Sequence, residues 1–331
     1  MILCTFEPVK EEVPEIFVRA LETDDLRLMQ QVPKSDLHNH AALGSRFADL
    51  VDWLGHPLEA PPESMSGIAE MDQYLSRVLR PLFLDHTGFE YALMAAFRQA
   101  KQDGVSVLEM SIDSWFIRQY PGRADQLTEY LERIHAEIAP DICFIPQLGL
   151  NRGGDMKVVL AEARDCIATG FFQSIDLYGE ELVRPPEDFR EIYREAARAG
   201  MRLKAHSGEF GDADSVRRHV EVLELQEVQH GISAASSAEV MKWLREQDIR
   251  LNVCPTSNVV LQRVSSLKEH PLRVLFDEGL FVTLNSDDIM LFGQSVSEEY
   301  LNVYRAGLFS ADELNLIRLN GLSQSVFSRS S

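Results

Sequence analysis

The amino-acid sequence predicts an α/β fold closed into a (β/α)8 TIM barrel, with a helical extension ahead of the first strand and a helical insertion directly after it. Short apolar runs recur eight times, each followed by helical or irregular sequence, an alternation that implies a parallel sheet. Eight such units imply that the sheet closes on itself, and 331 residues is a usual length for one such barrel. The unusual polar residues gather at the ends of the apolar runs, where this architecture carries its functional groups. An open doubly wound sheet would want a glycine-rich phosphate turn after its first strand. None is present.

Residues 10–31 carry Val13, Ile16, Phe17, Ala20 and Leu21 with acids interleaved, the pattern of an amphipathic helix with a structural role. Residues 1–32 form the helical extension and 33–331 the barrel, together one domain. The first strand is Ser35–His40. After Ala41–Arg46 a mixed segment runs through Trp53 and the Pro61-Pro62 turn to an apolar helix at Tyr74–Phe83. An insertion of this size, 47–83, belongs over a barrel mouth as pocket wall or lid. The other strands are expected at Val105–Ile112, Ile142–Leu148, Phe171–Leu177, Arg202–His206, Glu227–His230, Ile249–Cys254 and Leu280–Leu284. Helices fill the gaps at Phe89–Gln102, Ala124–Ile138, Lys157–Thr169, Asp188–Ala199, Asp214–Leu225 and Ala238–Gln247.

Hydrophobic residues make up 45% and charged residues 25%, enough apolar content for a full core. The balance of 32 basic against 52 acidic residues gives a net charge of −20, which repels phosphate backbones and anionic lipid and excludes nucleic acid and membranes as partners. Glu7, Pro8, Lys10, Glu11 and Glu12 interrupt the apolar start before a signal-peptide core can form, and no apolar run is long enough to span a membrane. The expected location is cytoplasmic. Cys4, Cys143, Cys166 and Cys254 show no Cys-x-x-Cys spacing and are too few for a disulfide scaffold, so reduced thiols are expected.

Chemistry concentrates on Asp36-Leu37-His38-Asn39-His40. Two imidazoles two residues apart on a strand share a face and can bind one metal ion. By itself His-x-His is a weak signal, since two hydrogen-bonded histidines explain it as well. The fifth strand, however, ends in His206-Ser207-Gly208-Glu209, the sixth in His230-Gly231 and the eighth in Asn285-Ser286-Asp287-Asp288. Singly, His206 or His230 reads as a core histidine, Asp287-Asp288 as a helix cap and Glu209 as a surface acid. Coincidence at four strand ends points to one shared site.

Zinc prefers imidazole nitrogen and carboxylate oxygen, so His38, His40, His206 and Asp287 make a ligand set with a position open for water. A nearby base, His230 or Asp288, can take or orient the proton of that water while Glu209 supplies one to the leaving side of the substrate. This is the layout of a hydrolase. The fourth strand, Ile175-Asp176-Leu177-Tyr178-Gly179, lacks the bridging lysine of two-metal amidohydrolases, so one zinc per chain is expected. Lys204 shares the inward parity of His206 but lies a layer lower, and reads as a paired interior charge.

These stretches resemble the adenosine deaminase family. Pro33-Lys34-Ser35-Asp36-Leu37-His38-Asn39-His40 is similar to its opening motif, Ile175-Asp176-Leu177-Tyr178-Gly179-Glu180-Glu181 to its fourth-strand motif, and His206-Ser207-Gly208-Glu209 to its metal-and-acid motif. His230-Gly231, Cys254-Pro255-Thr256-Ser257-Asn258 and Leu284-Asn285-Ser286-Asp287-Asp288 follow in the family's order, so the likeness spans residues 33–330.

The resemblance implies zinc on His38, His40, His206 and Asp287, with Glu209 as proton donor to the ring nitrogen beside the reacting carbon. It implies that His230 and Asp288 activate and aim the attacking hydroxide. Gly179 would offer its backbone N–H to a purine, with His40 and Asp288 also facing the substrate. The implied reaction converts the 6-amino group of adenosine or a related aminopurine to an oxo group with release of ammonia.

Family members that bind adenosine carry an acid and then Gly after the second metal histidine. Here the run is Ala41-Ala42-Leu43-Gly44, and Ser111 stands in Leu108-Glu109-Met110-Ser111 where relatives commonly have Arg shortly after the Glu. Arg46 and the 47–83 insertion are the candidates to replace those contacts. The missing acid makes a different amino-heterocycle, free adenine or a modified adenine, the runner-up. A non-catalytic zinc-binding barrel would be expected to lack Glu209, His230 or Asp288, and all three are present. Beyond the small-molecule aminopurine, a second copy of the chain stays open as a partner.

Overall fold

The computed structural model describes residues 13–121 and 123–323. Eight strands lie side by side in sequence order: β1 (Lys34–His40), β2 (Val105–Asp113), β3 (Cys143–Asn151), β4 (Ser174–Tyr178), β5 (Arg202–Ser207), β6 (Glu227–His230), β7 (Arg250–Val253) and β8 (Phe281–Leu284). Neighbours pair in parallel throughout. The ring closes just beyond β8, where Asn39 and Asp287 form a bridge and the Asp287 N–H donates to the His38 carbonyl at 2.9 Å. The closing bond of the barrel thus sits between two expected metal ligands.

The extension is two helices, α1 (Val13–Glu22) and α2 (Leu26–Met29), rather than one over 10–31, and residues 10–12 lie outside the described residues. The break falls where Asp24 takes a left-handed φ of 53° and Asp25 accepts the Leu28 N–H at 3.0 Å, capping a new helix. The insertion holds α3 (Phe47–Leu54), α4 (Ile68–Tyr74), a π-helical turn at Leu75–Leu79, and α5 (Arg80–Phe83). The outer layer follows with α6 (His86–Gln102), α7 (Ala124–Ile138), α8 (Met156–Ala168), α9 (Arg190–Arg198), α10 (Ala213–Leu223) and α11 (Ala238–Glu246). Then come α12 (Pro255–Val260), α13 (Leu272–Asp277), α14 (Ile289–Phe292), α15 (Val296–Arg305) and α16 (Ala311–Leu322).

Local sequence explains these starts. Asp85, Asp155 and Asp212 accept backbone N–H groups at the first turns of α6, α8 and α10, and Ser310 with Glu313 closes a capping box on α16. Helices of the outer layer turn an apolar stripe to the sheet, as Phe89, Leu93, Ala96 and Phe97 do on α6. In the extension Phe17 meets the ring of Tyr300 edge-on at 5.4 Å, which seats α1 on the side of the barrel.

The lower barrel interior is ionic. Lys204 is fully buried, with its Nζ 2.5 Å from Glu109 and 2.7 Å from Glu227. Arg250 binds Glu227 at 2.6 Å, and the amides of Asn252 and Gln147 complete the two carboxylates. Although burial works against ionisation, Arg250, Lys204 and Arg202 hold Glu227 well below the usual carboxylate range. Lys204 is therefore the paired interior charge expected from its parity.

Cysteine usage departs from expectation at one place. Cys166 and Cys254 are free and buried, whereas Cys143 is disulfide-bonded, and Cys4 lies outside the described residues. Cys spacing alone gives no hint of this, because connectivity cannot be deduced from sequence. No helix among the described residues is long and apolar enough to cross a membrane.

Candidate active site

The pleat of β1 turns His38 and His40 to the same interior face, and the ends of β5, β6 and β8 bring His206, His230, Asp287 and Asp288 to meet them. His230 and Asp287 hold left-handed backbone, with φ of 64° and 60°. Such geometry is strained for residues with a Cβ and persists only where the surroundings enforce it. Here the closing bond from Asp287 to β1 and the Gly231 N–H on the Ser207 carbonyl supply that constraint.

The donor geometry suits a metal ion. His38 Nδ1 lies 3.2 Å from the Asn252 carbonyl, and His206 Nδ1 lies 3.0 Å from Asp176. Both Nδ1 atoms therefore carry the proton, which leaves both Nε2 atoms as bare lone pairs. Those two lone pairs face each other at 3.1 Å, a repulsive arrangement unless a cation lies between them. Asp287 Oδ1 stands 3.6 Å from His38 Nε2 and 3.5 Å from His40 Nε2. With bonds of about 2.0–2.1 Å, neighbouring donors of a tetrahedral zinc site are about 3.3 Å apart, so all three separations fit. Burial lowers His38 to about 4 and depresses His40 and His206, which keeps the imidazoles in their neutral ligand form.

Beside this set stand the proton-transfer candidates. Glu209 Oε2 lies 3.5 Å from His230 Nε2, and its other oxygen has no protein partner; neither has Asp288 Oδ1. Burial, reinforced by Asp287, pushes both the Glu209 and Asp288 carboxyls well above the usual range. At Glu209 a carboxyl that keeps its proton is what a donor to substrate needs, and at Asp288 the same environment makes the ionised carboxylate a stronger base.

These groups open onto a cavity of about 740 Å³ at the mouth end of the barrel, reached by His40, His206, His230, Glu209, Asp287, Asp288 and Gly179, with His38 behind them. Gly179 has φ of 92°, and a Cβ there would lie 3.1 Å from the Asn151 amide oxygen. Ile68, Met71, Leu75, Leu79 and Phe83 form one wall, so the insertion covers the mouth as expected. Arg46 does not face this cavity. It pairs with Glu298 at 2.7 Å and bonds the Gly293 carbonyl, which removes it from the candidates for replacing the missing contacts.

Asp176 and Glu181 stand in the fourth-strand motif without an expected role, and Arg152 stands in no motif. Asp176 fixes the His206 ring, and Arg152 bonds the His206 carbonyl at 2.5 Å. The Glu181 carboxylate accepts four successive backbone N–H groups, of Gly208, Glu209, Phe210 and Gly211, at 2.7–3.2 Å. It therefore shapes the loop that presents Glu209. A buried acid two residues beyond the cavity-lining Gly179, followed downstream by Gly208 and Gly211 around Glu209, was the available signal.

A barrel with neutral histidines, a shared carboxylate and two acids with an open oxygen each at its mouth defines a metal-assisted hydrolase. Comparison narrows that class. The family model described as adenosine deaminase matches residues 151–331. A putative adenosine/adenine deaminase of Treponema pallidum is 34% identical over 285 residues, 86% of this chain and 95% of the relative. The chain belongs to the adenosine deaminase family and is a hydrolase acting on amidine C–N bonds.

Among solved structures, an adenine deaminase from Arthrobacter aurescens superposes with a TM-score of 0.77 at 25% identity, covering 90% of this chain and 94% of that one. An amidohydrolase from Burkholderia ambifaria with bound zinc shares the fold, with a TM-score of 0.76 at 24% identity, covering 96% and 89%.

Proposed function

We propose that this protein is a zinc-dependent hydrolytic deaminase of a 6-aminopurine, adenosine or free adenine. The observation that carries this reading is the pair of bare imidazole nitrogens 3.1 Å apart, with Asp287 beside them and Glu209, one oxygen of which has no partner, within one side chain's reach. His38, His40, His206 and Asp287 would hold the ion, whose chemistry there is Lewis acidity toward water.

The chain's own groups supply the proton traffic. With the ring seated against the Gly179 N–H, Glu209 protonates the ring nitrogen next to carbon 6 and draws electron density from that carbon. A water oxygen, aimed by His230, adds to carbon 6 as Asp288 takes its proton. The amino nitrogen of the tetrahedral intermediate then takes that proton from Asp288, the C–N bond breaks to release ammonia, and the hydroxyl gives up its own proton to restore Glu209, which leaves the oxo form. The low exposure of Glu209, His230 and Asp288 keeps bulk water from competing for these protons.

Free adenine or a modified adenine is favoured by one specific feature. Ala41 and Ala42 line the cavity where adenosine-binding relatives place an acid, and the opposite wall is the apolar face of α4, α5 and the turn between them. Ammonia release from adenine, adenosine, N6-methyladenine and AMP by zinc-loaded protein tests the proposal. Turnover of an aminopurine supports it, and the relative rates choose the substrate. Failure to release ammonia from any amino-heterocycle would overturn it.

A further inference from the structure

One backbone N–H fixes the hydrogen-bonding roles of three side chains in a row. The Leu272 N–H at the start of α13 donates to His270 Nδ1 at 3.0 Å. A backbone nitrogen can only donate, so His270 Nδ1 is the acceptor and its proton is on Nε2. That Nε2 lies 3.2 Å from the Asn258 side chain, which must therefore present its oxygen. The Asn258 amide nitrogen is then left to donate to His230 Nδ1, also at 3.2 Å. His230 Nδ1 accepts, so the His230 proton sits on Nε2, facing Glu209 at 3.5 Å and Asp287 at 3.8 Å.

We infer that His270 and Asn258 are positioning residues that lock His230 as a neutral hydrogen-bond donor in the active site. His230 then holds the attacking oxygen while Asp288 alone accepts its proton. This inference rests on the deaminase reading for its chemistry, although the proton position itself does not depend on substrate. It also argues against His230 as a ligand, although it lies within 4.8 Å of His38 and His206: an Nε2 that carries a proton has no lone pair to give.

The relay is built to hold one setting. His270, Asn258 and His230 are each at most 2% exposed, so water cannot exchange for any partner. Burial keeps His270 neutral down to about 3, so its Nδ1 lone pair stays available to Leu272. Burial above all, and then His38, His206, His40 and His270, disfavour a second proton on His230. None of them touches Nδ1, whose contact is Asn258.

The test is nitrogen NMR of the zinc-loaded full chain labelled in its histidine rings, beside kinetics. The wild type should show His230 as a neutral ring protonated on Nε2, and a proton on Nδ1 or a charged ring would overturn the inference. Asn258→Asp replaces the donor with an acceptor, so the His230 proton should move to Nδ1. Turnover number should then fall on the order of 100-fold, with KM and zinc content held.

His270→Leu frees the amide to flip and should give the same spectral change with a smaller loss, whereas His270→Gln, which can still donate to Asn258, should retain the Nε2 proton. Should neither Asn258→Asp nor His270→Leu move the proton or the turnover number, the relay does not set His230. If the wild type deaminates nothing but shows the Nε2 proton, the relay stands and the reaction assignment fails.

Discussion

Two buried ionic clusters share the interior of this barrel, one layer apart, and they are finished to different degrees. In the lower one, Lys204 is held between Glu109 and Glu227, and Arg250, Asn252 and Gln147 close the remaining valences. At the mouth, two imidazole lone pairs oppose each other at 3.1 Å, and one oxygen each of Glu209 and Asp288 has no partner. Buried polar groups left open cost stability, so a fold keeps them only for something that arrives later. Satisfied charge marks structure here, and unsatisfied charge marks chemistry.

Substitutions should separate the two clusters. Glu209→Gln is expected to lower turnover by about 10²–10⁴-fold, the range of a lost general acid, with zinc content and unfolding midpoint retained. Unchanged activity in steady-state assays would remove Glu209 from the mechanism. Lys204→Met should do the reverse. Leaving Glu109 and Glu227 short of a cation costs about 3–5 kcal/mol in urea unfolding, while activity per folded molecule stays near wild type. A stable Lys204→Met protein would mean the lower layer is not a structural plug.

Asp176→Asn acts at the boundary, since it keeps the shape around His206 but loses the charge that fixes its ring. Zinc affinity should drop about 10–100-fold by competition with a chelator. Glu299 is an intermediate case, with one oxygen bonded to the Thr256 N–H at 3.2 Å and the other unpartnered. Burial pushes its carboxyl from 4.5 to about 8. Because the folded value is raised, its contribution to stability is complete below the unfolded value and fades as pH rises through about 8. Glu299→Gln should therefore flatten the fall in unfolding free energy between those limits, and an unaltered pH profile would contradict the assignment.

The legibility of the sequence divides along similar lines. Strands buried on both faces read as apolar runs, so the eight expected strands lie within a few residues of those observed, and the metal and acid candidates stand at their ends. What was not legible depends on partners far apart in the chain. Asp176 and His206 are 30 residues apart and Asn258 and His230 are 28 apart, and no local period joins them. The break in the extension turned on Asp24 and Asp25, where capping prevailed over amphipathic spacing. Arg46 was drawn off by Glu298, an ion pair 252 residues distant that no local reading reaches.

The contrast between finished and unfinished charge is tested most directly by a crystal structure of zinc-loaded protein with anomalous data collected at the zinc edge. One peak is expected between His38 Nε2 and His206 Nε2, within about 2.0–2.2 Å of both and of His40 and Asp287. An empty position there, or a peak bound through Lys204's layer or His230, would contradict the reading.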